Sequence, residues 1–309
     1  MRRRSALPRR LGDSFGVAAA AALGVGRARR DADDLHRPFY GVRSTARPEK
    51  FDVLVECYRP RMRKDHRYAG RTAIRLWGIP FPFEWSSGEP LDVAVPPDAA
   101  PPRTHRVMGR RLAESRARTW KLRGVPVIDP VAALFSCAAE LTVDQMIVAI
   151  DALLTTASDY PGLGPGRPMT TRAVLDERLQ TWGRFPGSAV VRAAMPLARE
   201  RVESPKETET RLLIVRAGLP EPSVQFDVHD DRFFVARVDL AYPALRIAIE
   251  YEGDGHRTSK DQWRRDIRRQ RDLEDRGWIV IRLTELDLAD GGYAFLARIR
   301  RAIAVRTQG

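Results

Sequence analysis

The sequence predicts an α/β protein whose last third holds a mixed sheet flanked by helices. Three observations lead there. Between residues 204 and 283 the order is helix, three strands, helix, strand, which is a mixed α/β layer unit. Within it, residues 238–251 alternate apolar and polar or run apolar, as two half-buried strands interrupted at Tyr242-Pro243. Acids crowd the strand ends, namely Asp239, Glu250, Glu252 and Asp254, followed by His256. Neighbouring carboxylates repel and resist burial, so a sheet gains nothing from that density by itself.

The elements follow in chain order. Asp13-Ser14-Phe15 offers an N-cap to an Ala-rich helix over 16–23, which ends at Gly24-Val25-Gly26. A second helical segment over 27–35 carries Arg27, Arg29 and Arg30, and 36–43 reads as a basic, aromatic strand. Helix, glycine turn, arginine-bearing helix and strand is the order of a small winged helix-turn-helix. An α+β middle region comes next. Helix 69–77 is stopped by Gly78 and Pro80, strand 91–95 is closed by Pro96-Pro97, and 98–104 is a Pro/Ala-rich loop. The run 125–130 leads into helices over 131–140 and 142–154, and 159–168 is a linker or long loop. Helices over 171–182 and 188–201 follow.

The last third is the clearest. Ser204-Pro205-Lys206-Glu207 gives an N-cap, a proline at N1 and a capping-box glutamate, which open a helix through 217 ended by Gly218-Leu219-Pro220. Strands are expected at 224–228, 233–240 and 245–251. A basic helix runs over 260–276 to Gly277, with Trp263 and Leu273 toward the core. Its interleaved acids and arginines fit an exposed, salt-bridged face with one or two arginines reaching the cleft. The nearly all-apolar 278–283 is a buried strand. The implied division is 1–45, 46–158, 159–202 and 203–309.

With 309 residues there is room for more than one core. Lys and Arg number 53 against 40 Asp and Glu, a net charge of +13 that favours polyanionic partners. Cys57 and Cys137 make neither a zinc pattern nor a disulfide framework and read as reduced thiols. Arg2-Arg3-Arg4 before the Ala-rich 17–25 resembles a signal peptide only superficially, because Pro8, Arg9, Arg10 and Asp13 interrupt it. No stretch approaches the ~20 apolar residues of a membrane span. A cytoplasmic protein without membrane partners is expected.

Clustered carboxylates facing one pocket make chemical sense around a divalent cation such as Mg²⁺, which takes one or two carboxylates with backbone oxygens and water. Such a cation polarises a phosphodiester and lowers the pKa of a bound water. Asp239 and Glu250, on successive strands, can meet at one sheet edge, with the Tyr251 carbonyl beside them. Glu207 can reach the same edge, although a capping box accounts for it without catalysis. His256 is placed to serve as a general base or phosphate-side acid, or is a surface loop residue.

At these residues the sequence becomes specific. Ser204-Pro205-x-Glu207-Thr208, Ala217-Gly218-Leu219-Pro220, Gln225, Arg237-Val238-Asp239, Glu250-Tyr251-Glu252-Gly253-Asp254-x-His256-Arg257, Gln262-Trp263-x-x-Asp266 and Gly277-Trp278 resemble the domain of unknown function 559. That family is similar to the very-short-patch (Vsr) mismatch repair endonucleases of the PD-(D/E)XK, restriction-endonuclease-like superfamily. The resemblance covers about residues 203–287. It implies a restriction-endonuclease-like fold, Mg²⁺ or Mn²⁺ as cofactor, and DNA as substrate. Asp239 would be the metal-binding aspartate, Glu250 the second acid, Glu207 the helix acid and His256 the histidine after the core strand. Glu252 stands where the superfamily carries lysine, which leaves that charge to His256, Arg257 or Lys260, or adds a carboxylate for a second cation.

The N-terminal part more loosely resembles the AbiEi family of type IV antitoxins, through Phe15-Gly16-Val17, Ala22-Leu23-Gly24-Val25, Asp34-Leu35-x-Arg37-Pro38-Phe39-x-Gly41-Val42-Arg43, and Gly124-Val125-Pro126-Val127 with Asp129-Pro130. This implies a winged helix on a second domain, DNA contact by Arg27, Arg29 and Arg30, and a toxin partner or a homodimer. Asp31, Asp33 and Asp34 weaken the local positive field. Two functions are expected in competition: a metal-dependent DNA endonuclease with an N-terminal DNA-binding module, or a non-catalytic antitoxin-type regulator whose nuclease-like domain is a platform.

Overall fold

The computed structural model describes residues 5–164, 166–253 and 260–308. The N-terminal segment forms β1 (Ser14–Gly16), α1 (Val17–Ala22), α2 (Arg27–Arg30) and β2 (Val42–Ser44), with β1 antiparallel to β2. Three expectations are corrected here. Ser14 and Phe15 belong to a strand, so Gly16 is the N-cap of α1 and gives no side-chain bond. The helix expected over 27–35 is a single turn ended at Asp31. The expected strand over 36–43 shrinks to Val42–Ser44 plus an isolated bridge from His36 to Ser44. Local charge pairing explains the second: Arg29 forks onto Asp34 with both bonds at 3.0 Å, and Arg43 binds Asp31 at 2.7 Å, fixing a turn where a helix would continue.

The chain continues through α3 (Phe51–Tyr58), β3 (Arg67–Tyr68), α4 (Gly70–Trp77), β4 (Leu91–Val95), β5 (Arg103–Thr104), β6 (Val107–Arg111), β7 (Thr119–Leu122), β8 (Val125–Ile128) and α5 (Pro130–Ser136). The left-handed Gly78 closes α4, as expected from sequence. Then come α6 (Val143–Leu154), α7 (Arg172–Trp182) and α8 (Ser188–Ala194). The helix expected over 188–201 stops early because Pro196 cannot donate to the ladder, and one 3₁₀ turn, Met195–Leu197, replaces it. The final elements are α9 (Pro205–Arg216), β9 (Ser223–Asp230), β10 (Phe233–Tyr242), β11 (Ile247–Tyr251), α10 (Lys260–Glu274), β12 (Ile279–Leu283), α11 (Glu285–Ala289) and α12 (Tyr293–Gln308).

These elements make two compact units. The first contains residues 1–140 and 176–188, and the second 141–175 and 189–309. The first holds a six-stranded mixed sheet in the order β5-β6-β4-β3-β8-β7. Residues 176–188 return to complete it: Trp182 and Phe185 pack on Phe135, and Arg178 pairs with Asp129 at 3.0 Å.

The second unit is built on the sheet β12-β11-β10-β9, antiparallel except for the β11–β12 pair. Ile247, Ile249, Ile281 and Leu283 pack on one face with Ile214 of α9 and Phe295, Leu296 and Ile299 of α12. Ala241, Ala248 and Val280 pack on the other with Leu273 of α10. The result is a helix–sheet–helix sandwich in which strand parity decides what each side chain meets.

That parity breaks at one place. Val224 lies on the α9 face, yet Phe226 and Val228 lie on the α10 face; likewise Leu240 and Tyr242 against Ala236 and Val238. The pairing stays in register across the break, from Val238–Phe226 to Leu240–Val224. Both strands therefore switch faces together, at Gln225 and Asp239. Gln225 makes the switch with a left-handed backbone, φ 46°, uncommon for a residue with a side chain.

Candidate active site

The switch point lies beside the acids. Asp239 precedes Leu240, whose partner across the pair is Ile249, so the β10 acid and Glu250 of β11 lie next to the last paired residues of the two strands. Asp239 Oδ2 accepts the Tyr251 N–H at 2.9 Å. Tyr251 thus presents its amide to the acid. Burial drives the Asp239 pKa up to about 7, and the charges of Glu207 and then Glu250 add to the rise; the Tyr251 N–H and Arg269 act against it.

Glu207 is buried in the first turn of α9. Ser204 caps that turn, accepting the Glu207 N–H at 3.3 Å and donating to Oε1 at 2.8 Å. The carboxylate reaches the N–H of Glu203 at 2.9 Å, one residue before the N-cap. Gln225 then donates Nε2 to the same Oε2 at 2.9 Å. Burial raises the Glu207 pKa, and these three donors oppose the rise.

Glu250 is buried and faces two cations. Arg269 of α10 binds its Oε1, and Arg282 of β12, its register partner, holds Nε 3.9 Å from Oε2. Arg282 Nη1 binds Glu252 Oε1 at 2.5 Å, while the Glu252 N–H joins Leu283 O at 2.8 Å. His256 and Arg257, with Asp254, lie outside the described residues. Lys260 begins α10, but its side chain, like that of Trp263, lies outside them too. Among the described residues, no group of three or more His, Cys, Asp or Glu side chains is gathered tightly enough to cage a metal.

The N-terminal arginines are placed differently from one another. Arg29 is held by Asp34 and the Ser5 carbonyl, and Arg30 donates to the Val17 carbonyl at 3.3 Å. Arg27 projects into solvent with Asp31 3.7 Å away.

Three residues of the acid cluster were not singled out for it by sequence. Arg282 is the one charge inside the apolar 278–283, a signal that was readable. Arg269 is one of five arginines on a mixed-charge helix, and nothing in the sequence separates it from the rest. Gln225 is among the positions that carry the resemblance, but its bond to Glu207 and its left-handed backbone are visible only in the fold.

No family model matches the chain. Two relatives from Mycobacterium tuberculosis, the uncharacterized protein MT2308 of strain CDC 1551 and the uncharacterized protein Rv2248 of strain H37Rv, are each 29% identical over 185 residues, or 60% of this chain. The match spans 64% of the relatives' own length. A crystal structure of the Rv2827c protein from the same organism aligns over 71% of this chain and 84% of its own, at 12% identity and a TM-score of 0.37, a likeness too slight to bear on fold or function.

Proposed function

We propose that the second unit is a restriction-endonuclease-like, metal-dependent DNA endonuclease, and that the winged-helix-like N-terminal segment assists DNA binding. One observation carries the reading. A carboxyl on a central strand, Asp239, accepts the N–H of the residue after Glu250 and is held near a pKa of 7 by burial and by the charges of Glu207 and Glu250. Such an arrangement is costly to keep and common where acids have chemistry to do.

Hard oxygen donors with excess negative charge suit Mg²⁺ or Mn²⁺, and two carboxylates with water suffice for Mg²⁺. Asp239 and Glu250 would hold the ion. Glu207, fully engaged with Ser204, Glu203 and Gln225, would act on it through charge. When bound, the cation supplies phosphate polarisation and a more acidic water. The protein's own part is to fix Asp239 through the Tyr251 amide and to neutralise Glu250 through Arg269. His256 is proposed for proton transfer and Arg257 and Lys260 for phosphate contact, as the resemblance implies.

The second reading, a DNA-binding antitoxin-type regulator with a degenerate site and a toxin or homodimeric partner, draws on the same ion pairs. Arginines already neutralise Glu250 and Glu252. Plasmid incubated with the protein in Mg²⁺ or Mn²⁺, beside an Asp239→Ala control, separates the two. Nicking by the wild type alone is expected; no cleavage with either metal, or equal cleavage by the control, removes the enzyme reading.

A further inference from the structure

Breaking a phosphodiester places added negative charge on the phosphoryl oxygens, so a site that carries the acids Asp239, Glu250 and Glu252 needs fixed positive donors. Arg269 and Arg282 are the guanidinium groups bound to these acids among the described residues. They are not equivalent. Arg269 reaches over from a helix onto Glu250. Arg282 springs from β12, locked into the sheet by the Glu250–Arg282 register pair.

The rest of its strand shows that packing does not require an arginine. Ile279, Val280, Ile281 and Leu283 are all apolar. A charged stem in that row carries a desolvation cost that isoleucine would avoid. Its hydrogen bonding is incomplete as well. Nη1 is used on Glu252, but among the described residues Nε is buried with no acceptor, and Glu250 Oε2 at 3.9 Å is too far to serve. The side chain keeps 29% of its surface exposed, so the guanidinium reaches solvent where the acids do. Glu252 fixes the plane of the fork, and the outer Nη2, which bonds to no acceptor among the described residues, remains for an anionic oxygen.

We propose that Arg282 binds the scissile phosphate of DNA, with Glu252 as the positioning residue that aims it. The proposal rests on the endonuclease reading for its consequence in cleavage, but phosphate contact has a readout of its own.

The test measures duplex DNA affinity of the full-length protein against salt in EDTA, then plasmid cleavage in Mn²⁺, for wild type, Arg282→Gln and Arg282→Lys. Loss of one phosphate contact lowers the slope of log K on log salt by about 0.9, the expectation for Arg282→Gln. Arg282→Lys keeps the charge and the slope but loses the fork. Cleavage should fall on the order of 10²–10³-fold for the glutamine variant, as for loss of one preorganised donor, and by a smaller factor for lysine. An unchanged slope in Arg282→Gln overturns the proposal, whatever cleavage does. A lowered slope with no cleavage by the wild type upholds the phosphate contact and removes the endonuclease reading. Should Arg282→Gln fail to fold, the near-isosteric Arg282→Met is read by the same salt slope: a slope lowered by about 0.9 upholds the proposal, and an unchanged slope overturns it.

Discussion

At Asp239 the chain keeps an acid in its protonated form far above the ordinary carboxyl range. Free aspartate titrates near 3.9, and in the fold this group titrates at about 7. Between those values the folded chain retains a proton that the unfolded chain has released, so Asp239 makes stability fall as pH rises from about 4 to 7. Asp239→Asn removes that fall. Its melting temperature should exceed that of the wild type at pH 8 by at least about 3 °C, the shift for one kcal/mol in a domain of this size, and match it at pH 4. An equal offset at both pH values would mean that ionisation plays no part. Mn²⁺ affinity, followed calorimetrically, should rise about tenfold per pH unit below 7 and level off above, since the cation must displace that proton. Gln225 supplies a second residue-scale prediction. In an ordinary strand Gly is less stable than Ala, but at a left-handed φ the order reverses. Urea unfolding should place Gln225→Gly above Gln225→Ala by about 1 kcal/mol; the opposite order would contradict the left-handed backbone.

At the scale of elements, α9 is held to α6 by a buried charge pair. Asp151 and Arg211 are both buried, 3.2 Å apart, and Thr208 donates to Asp151 at 2.8 Å. Arg211 also reaches Glu221 at 2.9 Å. Removing one partner of such a pair strands the other, so Asp151→Ala should cost about 3–5 kcal/mol by chemical unfolding. A loss below about 1 kcal/mol would show that Arg211 finds water. This coupling was invisible in the sequence, because Asp151 sits on an apolar-periodic helix like any exposed polar residue. By contrast, α4, α6, α7, α9 and α10 were legible from period and caps, as were β4 and β9 to β12. The strands β5, β6 and β7 were not. Their residues, such as Val107-Met108-Gly109-Arg110-Arg111, carry no alternation, and neighbouring strands define them. In the candidate site, Asp239 and Glu250 stand out in the sequence because acids within apolar strands violate a packing rule. Arg269 was not legible there, since its role arises from tertiary approach, and for Gln225 the contact with Glu207 and the backbone angle were not.

For the whole molecule, the second unit begins at residue 141, well before the helix that carries Glu207. A fragment over 203–309 lacks Asp151 and leaves Arg211 buried without its aspartate. It should show no cooperative thermal transition by circular dichroism, whereas 141–309 should melt as one unit. A cooperative transition in the shorter fragment would make α6 dispensable. The interleaved division was not legible from composition, because the linker-like 159–168 falls inside the second unit and does not mark its border. What returns to the first unit is a stretch with two aromatics, Trp182 and Phe185, whose destination only the fold reveals.

That return also sets a timetable. As the chain leaves the ribosome, residues 1–140 emerge without the aromatic pair that covers Phe135, and must wait for residues 176–188. At typical synthesis rates the wait lasts about 2–10 s, long against the folding of a small domain. For most of it, α6 is already outside without the Arg211 partner of Asp151, because Arg211 is made later still. Each unit is thus born holding an open place for a segment that arrives after the other has started, and chaperone demand should peak in that window.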